Sequence, residues 1–152
     1  MDKIQLREQL INELWRMNKM DIIVHLMEFL EGETAALGCL IRHDGGFVNP
    51  SRISEEMNIS RARTANILSS LRKKGFITMD IAEDDRRRMS VALTEKGRTF
   101  FMDKYNFLVE YFDLYVEVIG EKDIAELIRL LRKTVDSEKQ LAFRPCARGE
   151  NQ

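Results

Sequence analysis

The chain has 152 residues, of which 44% are hydrophobic and 32% charged, and its formal net charge is −1 at pH 7. This length suffices for one domain with a sizeable core and is too short for two full-sized domains. The near-neutral charge argues against a generic polyanion binder. No apolar run approaches the ~20 residues that a bilayer requires, and the first residues lack a secretory signal, so we expect a cytoplasmic protein with no membrane partner.

Charge is distributed unevenly along the chain. Between positions 50 and 98, Lys and Arg outnumber Asp and Glu by eleven to seven, whereas the remaining residues are acidic overall. The middle of the chain is therefore the part that could face phosphate. A basic run such as Arg72-Lys73-Lys74 is often only a solvated helix end. Whether this part of the chain binds nucleic acid therefore has to be judged from the placement of individual residues.

The first third of the chain is predicted to be helical. Apolar residues recur at helical spacing over positions 4–15, 22–30 and 34–42, which indicates three helices. Asp44, Gly45 and Gly46 then mark a loop. A fourth helix is predicted to begin at Pro50, because Asn49 can accept hydrogen bonds from free amide groups and proline fits the first helical position.

The segment of residues 49–75 predicts two short helices joined by a tight turn. The first helix ends near Met57, and Asn58-Ile59 forms the turn. Ser60 caps the second helix, which ends at Gly75. In this second helix Thr64, Leu68 and Leu71 fall on one side and should pack inward. Its outer side then carries Arg61, Ala62, Arg63, Ala65, Asn66 and Ser69.

Two alternating segments predict a β-hairpin with one buried face. The apolar positions are Ile77, Met79 and Ile81 in the first strand and Met89, Val91 and Leu93 in the second. Thr94 is predicted to cap a long helix that ends at Gly120, and a last helix follows over positions 124–135. The expected fold class is mainly α with a small antiparallel β-hairpin. Residues 144–152 are expected to be a disordered tail.

The outer side of the second short helix carries groups suited to reading DNA. Arg61 and Arg63 can bond bidentately to guanine in the major groove, and Asn66 can bond to adenine. Ser60 and the first amide groups of the helix can hold a backbone phosphate, and Ser69 can also reach one. The alternative is that these side chains only solvate an exposed helix, since helix-turn-helix patterns recur by chance.

The predicted hairpin tip carries an acidic residue and three consecutive arginines. Arg87 is suited to enter a narrow minor groove, and Asp85 can pair with its guanidinium and hold it extended. Arg86 and Arg88 then point towards phosphates. The alternative is a solvated turn, although three adjacent arginines repel one another unless an anion or solvent relieves that repulsion.

Together these two segments resemble the MarR family of bacterial winged helix-turn-helix transcriptional regulators. The resemblance covers essentially the whole chain, but its specific part is the wing, which carries Asp85, Arg87, Val91, Leu93, Thr94 and Gly97. It implies one domain over residues 1–152, with dimerisation helices at 1–32 and 98–143 and the winged helix-turn-helix at 33–97. It also implies a homodimer on a near-palindromic operator, with recognition helices in successive major grooves and wings in minor grooves.

The family's residue roles carry over to matching positions. The recognition-helix role falls on Arg61, Arg63 and Asn66, and the wing role falls on Asp85 and Arg87. One departure is visible, because Met79 and Asp80 stand where many relatives carry basic residues in the first wing strand. This departure removes phosphate contacts that basic residues would make, so we expect the strand to contribute less to DNA binding than in those relatives. Phe101, Phe112 and Leu131 could belong either to a dimer interface or to the core of one subunit.

Relatives often respond to small aromatic or lipophilic ligands, and others sense oxidants or metal ions. The eight Met and eight Phe of this chain could line a pocket, but such residues more often fill a core, so the effector site stays unassigned and no cofactor is predicted. Cys39 and His43 are four apart on one predicted helix and could share a soft metal with further ligands from His25, Cys146 or carboxylates.

A buried cysteine is usually a small hydrophobe, so no metal site is assigned. Thiol sensing by Cys39 would require a lowered thiol pKa. The favoured hypothesis is therefore a sequence-specific transcriptional regulator, a repressor or an activator, that binds double-stranded DNA as a homodimer and is released or modulated by a small-molecule effector. The alternatives are a redox- or metal-responsive switch on the same scaffold and a winged-helix module that binds only protein. No enzyme is predicted, because the sequence offers neither a glycine-rich phosphate loop nor an acid-base constellation.

Overall fold

The computed structural model describes residues 2–81 and 89–138. The elements in these ranges are α1 Lys3–Met17, α2 Asp21–Glu28, α3 Gly32–Arg42, α4 Pro50–Met57, α5 Arg61–Lys73, β1 Ile77–Ile81, β2 Met89–Leu93, α6 Glu95–Ile119 and α7 Glu121–Ser137. This order confirms the predicted mainly α fold with one antiparallel hairpin. The chain divides after Glu110 into two compact units, the first of which contains the helix-turn-helix and the hairpin. No helix within the described ranges is long and apolar enough to cross a membrane.

Side-chain caps set the beginnings of the two helices in the helix-turn-helix. Asn49 Oδ1 accepts a hydrogen bond from the Ser51 amide at 2.8 Å at the start of α4. Ser60 Oγ accepts one from the Arg63 amide at 3.1 Å at the start of α5. Each bond satisfies an amide group that has no partner within its own helix. Both predicted caps are therefore confirmed.

The core of the first unit is built around α3. Leu37, Cys39 and Leu40 on this helix are fully buried, and they pack with residues of α4, α5 and both strands. The members outside α3 are Val48, Ile53, Leu68, Leu71, Phe76, Ile77 and Val91. Burying each large apolar side chain contributes about 1.5–3 kcal/mol. Thr64, Leu68 and Leu71 of α5 all face this core, as predicted.

The hairpin has a simple register in which Ile77 pairs with Leu93 and Ile81 pairs with Met89. The loop before α4 joins it through Val48, which bridges Val91 of β2. The prediction of a fully buried face is wrong towards the tip, because Ile81 is 62% exposed and Met89 45% exposed. These two residues form the outermost described pair of the hairpin, where the apolar cluster around α3 no longer includes the strands.

The start of α6 is fixed against the base of the hairpin. Thr94 Oγ1 accepts a hydrogen bond from the Gly97 amide at 3.1 Å and donates one to the Gly75 carbonyl at 2.7 Å. The predicted Thr94 cap is therefore confirmed. Phe76 stacks on Phe100 of α6 with ring centroids 4.5 Å apart, which packs the first turns of this helix against the domain.

α1 and α7 bury none of their described residues within one chain. α1, in the first unit, exposes the large apolar residues Ile4, Leu6, Leu10, Ile11, Leu14, Trp15 and Met17. α7, in the second unit, exposes Leu127, Ile128, Leu130, Leu131 and Val135. The sequence left Phe101, Phe112 and Leu131 open between a dimer interface and the core of one subunit. In the structure Phe101 packs against the core, whereas Phe112 and Leu131 are exposed.

Candidate nucleic-acid interface

A tight turn holds α5 at a defined angle to α4. Asn58 adopts a left-handed conformation with φ 51° and ψ 47°, which asparagine tolerates better than most residues. The Ile59 amide donates to the Ser54 carbonyl at 3.1 Å, and the Ser54 hydroxyl donates to the Ile59 carbonyl at 2.7 Å. These reciprocal bonds close the turn predicted at Asn58-Ile59 and present α5 at the surface.

The two sides of α5 differ sharply in burial. Thr64 and Leu68 are almost fully buried, which fixes the rotation of the helix about its axis. The residues selected from sequence for DNA contact are all exposed on the other side, namely Arg61, Arg63, Asn66 and Ser69. Ser60 lies at the beginning of the same helix, where its hydroxyl accepts the cap hydrogen bond. All five residues are thus accessible on or at the start of α5, while their contact with DNA stays a prediction.

Arg63 has an ion-pair partner outside its own helix. Its guanidinium lies 3.6 Å from a carboxylate oxygen of Glu31, the residue that precedes α3. Both side chains are more than half exposed. A pair of this kind contributes little to stability because water screens it, so Arg63 can exchange Glu31 for another acceptor at small cost.

A groove of about 370 Å³ separates α5 from the hairpin. Its lining consists of Pro50, Ser51, Arg61, Thr64, Ala65, Leu68, Ser69, Arg72, Met79 and Met89. Sequence reasoning had placed Arg72 in a solvated helix end and had not selected Ser51. Arg72 follows Arg61 by eleven positions, close to three full helical turns, so the helical period could have identified it as a member of the same face.

The hairpin is present, but its tip lies outside the described residues. Asp85, Arg86, Arg87 and Arg88 fall in the segment 82–88, so their predicted roles in the minor groove stay predictions. The structure also agrees with the sequence analysis that the first wing strand lacks the basic residues found in many relatives. Asp80 is exposed there, and β1 carries no basic side chain.

A polar cluster joins α3 to α4 behind this surface. Cys39 Sγ donates to Glu56 Oε2 at 3.1 Å, and His43 Nε2 lies 2.7 Å from Glu56 Oε1. Arg52 Nε also donates to Oε1, at 3.2 Å. Hydrogen bonds from Cys39 and His43 lower the pKa of Glu56 to about 2. Glu56 was missed from sequence because it is seventeen positions from Cys39 and only the packing of α4 brings it there.

The thiol of Cys39 does not have the character that an oxidant sensor requires. The side chain is fully buried. Burial and the hydrogen bond with the Glu56 carboxylate raise the pKa of Cys39 to about 11. Thiolates react and thiols do not, so a raised pKa makes this sulfur unreactive near neutral pH. The hypothesis of thiol sensing by Cys39 required the opposite shift.

Comparison with known proteins places this architecture in a family. Residues 33–112 match the family model described as "Winged helix DNA-binding domain". An uncharacterized HTH-type transcriptional regulator of Bacillus subtilis (strain 168), YfiV, is 33% identical over 66 residues, which are 43% of this chain and 41% of that protein. The match thus spans about two fifths of the length of that relative.

Solved structures share the fold over nearly the whole chain. The YusO protein from Bacillus subtilis is 19% identical, with a TM-score of 0.74 over 90% of this chain and 99% of that chain. Streptococcus pneumoniae FabT, solved in complex with DNA, is 21% identical, with a TM-score of 0.66 over 92% of this chain and 99% of that chain. The S. aureus MepR-DNA complex is 20% identical, with a TM-score of 0.63 over 86% and 98%.

These structures are MarR-family regulators, so the resemblance found in the sequence is confirmed in the fold. The family model spans the core built on α3, the helix-turn-helix and the hairpin, and it continues into α6. It thus covers more than half of the chain and includes every residue selected for DNA contact. The protein belongs to the winged helix DNA-binding domain family and has the fold of the MarR-type regulators.

Proposed function

We propose that this protein is a sequence-specific transcriptional regulator that binds double-stranded DNA as a homodimer on a near-palindromic operator. The observation that carries the proposal is that Arg61, Arg63 and Asn66 are all exposed on α5, and that Arg61 lines the groove between this helix and the hairpin. These side chains match the donor and acceptor pattern of base edges in the major groove. Thr64 and Leu68 hold the opposite side of α5 against the core, so its exposed side is available to enter the groove.

Phosphate contacts would fix the position of α5 in the groove. The Ser60 hydroxyl accepts the cap hydrogen bond from Arg63 but still has its own hydrogen to donate to a phosphate oxygen. Ser69 and Arg72 lie along the groove between α5 and the hairpin, where a second phosphate could be held. Arg87 of the wing would then reach the adjacent minor groove with Asp85 as the orienting partner, and Arg86 and Arg88 would meet phosphates.

A homodimer is supported by the apolar side chains that α1 and α7 leave exposed. Large apolar side chains left exposed along a helix mark an interaction site. A twofold dimer would place the two α5 helices about one helical turn of DNA apart, ~34–36 Å, which is why we expect a near-palindromic operator.

A small aromatic or lipophilic effector is supported by a cavity of about 410 Å³ in the first unit. Its lining includes three phenylalanines and one ion pair, with the residues His25, Glu28, Phe29, Phe100, Asp103, Lys104 and Phe107. Aromatic walls with a few charged groups suit a ligand that carries a ring and a polar substituent. We propose that such a ligand releases the protein from its operator or modulates its binding there.

The experiment that tests DNA binding is a mobility shift on the protein's own upstream DNA, repeated over a salt series and against unrelated competitor DNA. We expect competitor-resistant binding with a steep salt dependence, because phosphate contacts release counterions. Absence of specific binding before and after small molecules are stripped from the protein would favour the alternative, a winged-helix module that binds only protein.

The wing is tested with Arg87→Ala. We expect operator affinity to fall several-fold or more in fluorescence anisotropy, because one cation aimed at the minor groove is lost. Arg129→Ala is the matched control, since it removes one exposed arginine from α7 and should leave affinity unchanged. Thermal unfolding should be the same for both variants. An unchanged affinity for Arg87→Ala would remove the wing tip from the proposed interface.

A further inference from the structure

Three side chains of different ligand types converge between α3 and α4. Cys39 Sγ, His43 Nε2 or Nδ1 and a carboxylate oxygen of Glu56 all lie within 4.8 Å of one another. Cys39 lies in the last turn of α3, and His43 is the residue that ends this helix, four positions later. Glu56 comes from the last turn of α4 and turns one carboxylate oxygen towards each of them.

From this geometry we propose that Cys39, His43 and Glu56 bind a divalent transition-metal ion of the zinc class, with water at a fourth position. Thiolate, imidazole and carboxylate are the donor types that Zn²⁺ and Co²⁺ prefer. On binding, the thiol proton passes to solvent and the sulfur becomes a thiolate. The thiolate and the carboxylate together then balance the two charges of the ion.

The dimensions of the cluster suit a tetrahedral site. Zinc bonds of about 2.0–2.3 Å separate neighbouring ligand atoms by roughly 3.3–3.8 Å. Side-chain rotation therefore has to shorten a separation of 4.8 Å by up to about 1.5 Å and to lengthen the contacts of 3.1 and 2.7 Å that Glu56 makes with Cys39 and His43. His43 and Glu56 have the freedom to rotate, because their side chains are 24% and 29% exposed. Their exposure also gives an ion and a water ligand access to the buried sulfur.

The groups around the cluster support the carboxylate as a ligand. Arg52 Nε donates to Glu56 Oε1 at 3.2 Å, and Arg42 lies 3.8 Å from Oε2. Partners of this kind orient a ligating carboxylate and keep it ionised. In the metal-free chain, hydrogen bonds from the thiol and the imidazole occupy the carboxylate, and the ion would replace those hydrogens. The site does not depend on the DNA-binding proposal.

The test is Co²⁺ titration of the untagged full chain in a Cys146→Ser background, which leaves Cys39 as the only cysteine. We expect one Co²⁺ per chain, with a thiolate-to-cobalt charge-transfer band and the intense visible bands of tetrahedral cobalt. Addition of Zn²⁺ should abolish the charge-transfer band and the visible bands, because it displaces Co²⁺ from the same ligands. Absence of a charge-transfer band in this protein would overturn the proposal.

Variants assign the ligands. Cys39→Ala should remove the charge-transfer band completely, and His43→Gln and Glu56→Gln should each weaken Co²⁺ binding by about tenfold or more. His25→Gln is the matched control, because it removes the other histidine of the chain and should leave the titration unchanged. Circular dichroism of each variant verifies folding. His43→Gln is the most informative variant, because the His43 side chain is partly exposed and its replacement should disturb the core least. Equal Co²⁺ binding by His43→Gln and the parent protein would contradict the three-ligand site.

Discussion

Gly97 shows how one atom can determine the position of a helix. A Cβ built at this residue would lie 2.1 Å from the carbonyl oxygen of Phe76, a distance that no side chain can occupy. That same oxygen accepts the Thr94 amide at 3.1 Å, so it cannot move away without breaking the bond that begins α6. Close approach of two backbones, rather than backbone flexibility, therefore requires glycine here.

Gly97→Ala should destabilise the fold. The added methyl group has to displace either the first turn of α6 or the segment at Phe76, and strain of this kind typically costs about 1–3 kcal/mol. Urea denaturation followed by circular dichroism measures the free energy of unfolding. Thr99→Ala is the control on the same helix, since Thr99 is exposed and its loss should change stability by less than about 0.5 kcal/mol. Equal stability of the two variants would show that the close approach is absent in solution.

At the scale of the element, α5 combines an anchored side with an exposed one, and Arg63 connects it to the beginning of α3. The ion pair with Glu31 occupies the guanidinium that we assign to a base edge. Because the pair is exposed, its release costs little compared with a bidentate bond to guanine. DNA binding would therefore exchange one partner of Arg63 for another.

Arg63→Ala should cost about 1–3 kcal/mol of operator binding and relax the preference at one base position. Anisotropy titrations against operators with single base changes measure both effects. Glu31→Gln is the paired control, and it should leave affinity unchanged or slightly higher because it frees the guanidinium. A comparable loss in both variants would mean that Arg63 acts by holding α5 to α3, and an equal loss on all sequences would mark a phosphate contact.

Elements that depend on local chemistry could be predicted from the sequence. The caps at Asn49, Ser60 and Thr94 bond to amides two or three residues away, so their residue types suffice to identify them. Contacts between distant segments could not be predicted. Glu56 meets Cys39 only because α4 packs on α3, and the exposure of Ile81 depends on where the core ends.

At the scale of the whole molecule, several helices leave apolar side chains exposed in a single chain, and α1 and α7 bury none of their described residues. On α7 the residues Ile124, Leu127, Ile128, Leu131 and Val135 recur at spacings of three and four, which places them on one side of the helix. A helix whose apolar stripe is uncovered in one chain is stabilised when a second copy covers it. The dimer that we propose for DNA binding would therefore also stabilise these helices.

Leu131→Asp should dissociate the dimer. Leu131 is 54% exposed in one chain and lies near the middle of the apolar stripe, so a carboxylate there would have to be buried without a partner on association. Analytical ultracentrifugation should show a monomer at concentrations where the parent protein is a dimer. Lys133→Asp introduces the same side chain on the opposite, polar side of α7 and should remain dimeric.

The same pair of variants connects assembly to recognition. A monomer offers one α5 to a two-half-site operator, so it loses the gain in effective concentration that the linked second α5 provides. Leu131→Asp should therefore bind the full operator no more tightly than a single half-site, whereas Lys133→Asp should retain the difference. Tight operator binding by a Leu131→Asp monomer would separate DNA recognition from dimerisation, and the symmetry expected of the operator would then have no structural basis.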